Sequence, residues 1–254
     1  MSGRIMRRGL LVVCLLLSSV SVPADEVLKV GMSADYPPLS FKQDGRYLGI
    51  EADNARAVGE ILSRRTQIVE LSFDELIPAV QSGKVDVIMS GLSVTAQRSQ
   101  QLQFTEAYLL VGQMAILHRS KIGRFSQPWS VYREDVRIGV EPGTTGAAFA
   151  ERELKDAKLS FFANPDEAFR ALRNDVIDLY VHDAPTSWQL ANGMENEDLI
   201  SLYSPLTEEM LAWAVAKDND ALAAELNRAL ALMQANGTLQ YILNRWIPVT
   251  VEVK

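Results

Sequence analysis

Ser90, Gly91, Leu92, Ser93, Val94 and Thr95, with Arg98 one helical turn further on, form the stretch best equipped for chemistry. The run 85–89 before it carries Asp86 as its only charge and reads as a buried strand. Thr95 stands where it can cap a helix starting at Ala96, its hydroxyl accepting from a first-turn N–H. A strand, a small-residue loop with free backbone donors, two hydroxyls and a helix start bearing a guanidinium together favour an anion such as a carboxylate. The same residues also describe an ordinary strand-to-helix turn with a surface arginine, so the rest of the chain has to decide.

A second anion-friendly loop lies at Gly143-Thr144-Thr145, ahead of a helix expected from Ala147. Glycine permits close backbone approach, and threonine hydroxyls beside a helix N-terminus add donors; a simple cap is the alternative. Asp183 follows a strand over 176–181, and strand C-termini in open α/β sheets face the ligand crevice. A carboxylate there can hold an ammonium group, or it can cap the segment that begins at Pro185. Its neighbour His182 reads as a packing or loop residue. Tyr36 and Phe73 follow strands at the same end of the first half, where flat rings can wall a ligand; Phe73 equally suits a core.

The elements that carry these residues alternate. A strand over 28–32, a hairpin over 41–47 around Asp44-Gly45, a helix over 50–64, a strand over 67–71 and a helix over 73–81 lead to the first loop. Strands over 136–140, 159–162 and 176–181, with helices over 147–154 and 166–173, repeat the pattern. Such alternation argues for parallel pairing, so two similar α/β units face each other around a cleft. The extended segments 111–118 and 210–216 suit crossings between lobes. They make 25–116 and 209–254 one lobe and 117–208 a second, inserted one. The helical end, 219–246, returns to the first lobe, with Asn236-Gly237 closing one helix and Trp246 packing another.

Arg4, Arg7 and Arg8, an apolar run over 10–17 and small residues up to Ala24 make residues 1–24 a secretory signal peptide cut near Ala24. The run is too short to span a membrane, which takes about 20 residues. Cys14 is the chain's single cysteine and falls inside this leader, so the exported part offers no disulfide, thiol nucleophile or thiolate metal site. The chain carries a formal net charge of −7 and the leader holds only basic residues, so the exported part is more acidic still. That balance disfavours nucleic acid, whose phosphates demand basic patches. His118 and His182 have no metal-site spacing, and neither a G-x-S-x-G elbow nor a phosphate-binding loop is present.

The order and spacing of these residues resemble a type 2 periplasmic solute-binding protein of the family 3 group, which serves polar amino-acid ABC importers. The landmarks are Tyr36-Pro37-Pro38 with Ser40-Phe41, Gly49, Leu76-Ile77-Pro78, Ser82-Gly83-Lys84-Val85-Asp86 and the loop 90–95 with Arg98 and Phe104. Gly143-Thr144-Thr145, Asp178, Asp183 and Asn236-Gly237-Thr238 ahead of Trp246 complete them. The resemblance implies two lobes, each a mostly parallel sheet flanked by helices, with two crossover strands as the hinge. It also implies a monomer that binds an amino acid or related small carboxylate, without a cofactor, for an ABC permease. Arg98, Ser93, Gly91 and Thr145 would take the α-carboxylate, Asp183 the α-amino group, and Tyr36 and Phe73 would wall the ligand. Members that bind basic amino acids often carry an acid two residues after the glycine of the first strand. Ser33 stands there, which argues against a cationic side chain.

Two alternatives share the fold. Cyclohexadienyl dehydratases look similar over 89–98 and 142–154, and resemblance to them would require a general acid shortly after the second-lobe aspartate. Ala184-Pro185-Thr186 follow here, with no acid before Glu195, and the turn after Gly143 lacks the Asn-Glu pair of that group. A sensory binder that hands its ligand to a membrane receptor would use the same cleft.

Overall fold

The computed structural model describes residues 26–192, 196–202 and 204–247; the expected leader and Glu195 lie outside the described residues. Strand β1 (Val27–Met32) opens the first lobe with Leu28, Val30 and Met32 turned into one core. Strands β2 (Asp35–Tyr36), β3 (Ser40–Gln43) and β4 (Arg46–Leu48) form a small antiparallel sheet. Its hairpin turns on Asp44 and Gly45, both at positive φ as a tight primed turn requires. Helix α1 (Ile50–Leu62) and strand β5 (Arg65–Glu70) follow. The helix expected over 73–81 is two pieces, a 3₁₀ turn at Phe73–Glu75 and α2 (Leu76–Gln81). The Glu75 carboxylate accepts from both the backbone N–H and the hydroxyl of Ser72, which fixes the start of the first piece before α2 begins.

Strand β6 (Val87–Ile88) is buried on both faces: Val87 and the adjoining Met89 join the core under α1, and Ile88 joins the core under α2. Helix α3 (Ala96–Ser99) and strand β7 (Leu102–Phe104) complete this half, and β8 (Leu109–Val111) leaves it. The second lobe then contains β9 (Gln113–His118), β10 (Arg137–Val140), α4 (Thr145–Glu153), β11 (Lys158–Phe161), α5 (Pro165–Arg173), β12 (Leu179–Asp183), α6 (Ala184–Asn192) and β13 (Leu199–Ser201). Strand β14 (Glu209–Leu211) returns antiparallel beside β8, with Met210 opposite Leu110. Strand β15 (Ala214–Ala216) and helices α7 (Asp220–Ala235) and α8 (Thr238–Trp246) end the first lobe.

The two large sheets share one plan. Their orders are β5-β1-β6-β15-β7 and β11-β10-β12-β9-β13. In each, the strand entered directly from a crossover, β15 or β9, runs antiparallel to both neighbours while the remaining pairings keep a common direction. The segment expected as one extended crossing over 111–118 is therefore two strands: β8 belongs to the hinge pair and β9 to the second sheet. The second sheet accordingly begins at Gln113, ahead of residue 117. Because both sheets point the C-terminal ends of their parallel strands at the same gap, the loops after β1, β6, β10 and β12 meet there.

Helix α1 packs against α7 and α8, and Leu226, Leu230, Met233 and Ile242 close the core over β1 and β6. Trp246 anchors α8 by donating its indole N–H to Asp53, 2.7 Å away, and its ring meets Phe41 edge-on. This is a packing role. In the second lobe the buried Asp178 accepts from Arg137 and Lys121, which ties β12 to the start of β10 and explains its place among the sequence landmarks.

Candidate functional site

Thr95 caps α3 as its position predicts, the hydroxyl accepting from the Arg98 N–H at 3.1 Å. The helix is a single turn, so its dipole is slight and the positive charge at this corner belongs to the guanidinium. Gly91 adopts φ 64°, and a Cβ there would lie 2.5 Å from Leu39 and 2.8 Å from Tyr36. Only glycine allows the loop to sit this close to the β2–β3 region. The Arg98 side chain is 8% exposed and donates to the Ser93 carbonyl at 2.9 Å and, across the cleft, to the Gly143 carbonyl at 3.0 Å. Two of its five N–H groups are thereby used. Phe73 lies under the guanidinium, ring centroid 5.6 Å from Cζ, in cation–π range. Burial pushes the Arg98 pKa below its ordinary value, and the Asp183 and Glu209 carboxylates oppose that shift.

From the other lobe, Thr144 caps α4 through the Ala147 N–H at 3.1 Å, which places the Thr145 N–H in the first turn of a helix. Asp183 ends β12 and accepts from the Tyr36 hydroxyl of the first lobe and from the Gln113 amide. Burial, with Glu209 adding to it, raises the Asp183 pKa, while His182 and these two donors restrain the rise. The cavity between the lobes has a volume of about 290 Å³, at the lower end of small-molecule pockets (roughly 300 Å³ and upward). All seven residues singled out from the sequence, Arg98, Ser93, Gly91, Thr145, Asp183, Tyr36 and Phe73, line it.

Three residues that the sequence reading did not place complete the arrangement. Glu209, at the start of β14, accepts on one oxygen from Ser93 (2.7 Å) and from Thr145 (2.6 Å), hydroxyls of opposite lobes; its other oxygen accepts from Thr207 (2.8 Å). Gln113, at the start of β9, donates to Thr145 at 3.1 Å as well as to Asp183. Glu51, fully buried in α1, takes hydrogen bonds from Gly91 N–H, the Tyr108 hydroxyl and the Trp213 indole at 2.7, 2.8 and 3.1 Å. It braces the anion loop against segments flanking both hinge strands. Nothing in the local pattern marks Glu209 or Gln113: the pairing of β8 with β14 sets Glu209 opposite Val111, and the pairing of β9 with β12 sets Gln113 opposite Asp183.

The cavity holds other acids besides Asp183, Asp74 among them. Asp35 and Glu141 both line it, and among the described residues neither has an arginine or lysine partner. Asp35 is an exposed residue whose carboxyl is partly desolvated in the cleft; that desolvation raises its pKa, and repulsion from Glu141 raises it further. Glu141 accepts from the Tyr180 hydroxyl and stands 3.3 Å from the His182 imidazole, whose ring meets Tyr36 edge-on. Ser33, the position that argued against a cationic side chain, pairs with Ser90 at 2.9 Å. The acids arrive from elsewhere, two residues later and from the opposite lobe. Among the described residues no group of three or more His, Cys, Asp or Glu side chains is placed to hold a metal ion.

Two α/β lobes of one plan, a paired-strand hinge and a shared cleft with an arginine at one end define a solute-binding protein. The chain belongs to the bacterial extracellular solute-binding proteins, family 3, which residues 28–249 match. It is 30% identical over 246 residues to ABC transporter arginine-binding protein 1 of Escherichia coli (strain K12), covering 94% of this chain and 98% of that one. Cyclohexadienyl dehydratase of Pseudomonas aeruginosa is 26% identical over 245 residues, covering 91% and 90%. Among solved structures, an ancestral amino acid-binding protein described as a precursor of cyclohexadienyl dehydratase aligns with a TM-score of 0.80 at 30% identity, covering 87% of this chain and 95% of that one.

Proposed function

We propose that the cleft captures an α-amino acid with a cationic side chain outside the cytoplasm and presents it to an ABC importer. Arg98, with backbone N–H groups of the 91–93 loop and of Thr145, would take the α-carboxylate. Asp183 would take the α-ammonium, and Tyr36 and Phe73 would wall the ligand. The observation that carries this reading is the placement of Arg98, Asp183 and the Asp35–Glu141 pair along one cavity. One cation and two sets of acids around a single cavity match the carboxylate, ammonium and side-chain cation of arginine or lysine. The arginine-binding relative supports it. It replaces the expectation drawn from Ser33, which weighed one position without the acids that converge from Asp35 and Glu141.

Binding would close the lobes about β8 and β14, giving a monomer whose joined surface meets a membrane permease, after export and removal of residues 1–24. The dehydratase relative calls for a direct comparison. Dehydration of prephenate needs an acid near the leaving groups, and the segment after Asp183, Ala184–Asn192, starts with Ala, Pro and Thr. Thermal-shift screening against the twenty common L-amino acids, with prephenate incubated in parallel, tests the reading. Stabilisation by L-arginine or L-lysine without formation of phenylpyruvate is expected. Sustained turnover, or stabilisation by no amino acid, would overturn it.

A further inference from the structure

Glu209 lies behind the cleft rather than in it, yet it takes a hydrogen bond from a hydroxyl on each lobe. A serine or threonine hydroxyl has one proton to give. Ser93 and Thr145 both point that proton at the same Glu209 oxygen, at 2.7 and 2.6 Å. Thr145 also receives the Gln113 amide proton at 3.1 Å, so its hydroxyl is largely committed and its backbone N–H is what remains for an anion. Ser93 keeps its lone pairs, and Ser93 is among the residues lining the cavity. A carboxylate accepts only, and it gains nothing from a hydroxyl whose proton is spent. An ammonium donates only, and it finds in Ser93 an acceptor.

Resting on the amino-acid reading above, we infer that Glu209 is a positioning residue that fixes the Ser93 hydroxyl as a hydrogen-bond acceptor for the ligand α-ammonium. Ser93 and Asp183 then share the ammonium between the lobes, and the α-carboxylate depends on Arg98 and backbone N–H groups alone. Thr207 and Gln113 hold Glu209 and Thr145 in register: the Thr207 hydroxyl donates to Glu209 at 2.8 Å and accepts from the Gln113 backbone N–H at 2.9 Å. The hinge strand β14 thereby sets the polarity of the cleft without touching the ligand.

Two probes separate this role from simple structural support: L-arginine and 5-guanidinopentanoate, which keeps the carboxylate and guanidinium but lacks the α-ammonium. In Glu209→Met the hydroxyl protons are released. Affinity for L-arginine should fall at least tenfold while that for 5-guanidinopentanoate holds or rises. Glu209→Gln, which retains an acceptor oxygen, should recover most of the L-arginine affinity. Ser93→Ala leaves the Glu209 carboxylate in place and should weaken L-arginine several-fold with the analogue unchanged, so the inference stays testable if the methionine variant fails to fold. Equal losses for both probes in Ser93→Ala, or no loss for either, would overturn it. Binding of L-arginine is scored first in the unaltered protein: failure there counts against the cationic amino-acid reading, whereas unselective loss in the variants counts against the role of Glu209.

Discussion

The Arg98 guanidinium of the first lobe donates to the Gly143 carbonyl of the second at 3.0 Å, joining the two anion-friendly loops across the cleft. One cation thus has two tasks: it offers charge to a ligand carboxylate and it holds the opposing loop in reach. Arg98→Ala should remove both. A charge-assisted hydrogen bond is worth about 1.5–3 kcal/mol, so loss of a two-pronged contact should weaken amino-acid binding roughly a hundredfold or more. The unliganded protein should still unfold cooperatively in calorimetry. Binding within threefold of the unaltered protein would contradict the role.

Glu51 sits where removal is costly. Its carboxylate satisfies Gly91, Tyr108 and Trp213 in a fully buried setting. Glu51→Leu leaves three donors without acceptors, each costing about 1–3 kcal/mol. A loss of about 3 kcal/mol or more in urea unfolding is expected, equivalent to roughly 6–12 °C in melting temperature. A change under about 1 kcal/mol would show that water or another group replaces the carboxylate.

The Asp35–Glu141 end should decide the side chain. Asp35→Asn combined with Glu141→Gln removes both charges while keeping shape. Titration calorimetry should find affinity for L-arginine reduced about tenfold or more, with L-glutamine affected far less. Parallel changes for both ligands would place the side chain elsewhere.

His182 gives a pH signature. Burial acts to lower its pKa, but Glu141 at 3.3 Å, together with Asp183, outweighs that and holds it above the ordinary value near 6.5. Tyr36, Tyr180 and Asp35 complete its surroundings. A raised folded-state pKa means that the native chain holds the proton more tightly than the unfolded one. The stabilisation is complete below about pH 6.5 and fades as pH climbs through the folded value. The stability difference between the unaltered protein and Glu141→Gln, from urea unfolding between pH 6 and 9, should therefore shrink as pH rises. A difference independent of pH would remove His182 from the account.

The alternating strands and helices are readable because short apolar runs are broken by turn or polar residues, as Gly83-Lys84 and Ser90-Gly91 bound the run 85–89, and Thr95 and Thr144 advertise their caps by type. The seven cleft residues are readable for a related reason: they lie at or just beyond the ends of strands, in loops or the first turns that follow, where an Arg, Asp or Gly-Thr-Thr turn has few structural excuses. The hinge is harder. Residues 111–118 look like one extended strand, and only the pairing of Leu110 with Met210 separates the hinge strand β8 from β9. Glu209 owes its position to that pairing and Gln113 to the pairing of β9 with β12, and the two lie far apart along the chain, so no local spacing could reveal them. Asp35 and Glu141 come from different lobes, and their convergence is a property of how the two sheets face one another. Glu51 carries no local signal of its bracing role, since its three donors belong to the distant Gly91, Tyr108 and Trp213.

A crystal structure of the protein grown with L-arginine tests the central claim most directly. The account predicts the ligand carboxylate within hydrogen-bond distance of Arg98, its α-ammonium on Asp183, and its guanidinium between Asp35 and Glu141. A cleft without density for L-arginine at saturating concentration, or a ligand whose carboxylate lies away from Arg98, would contradict it.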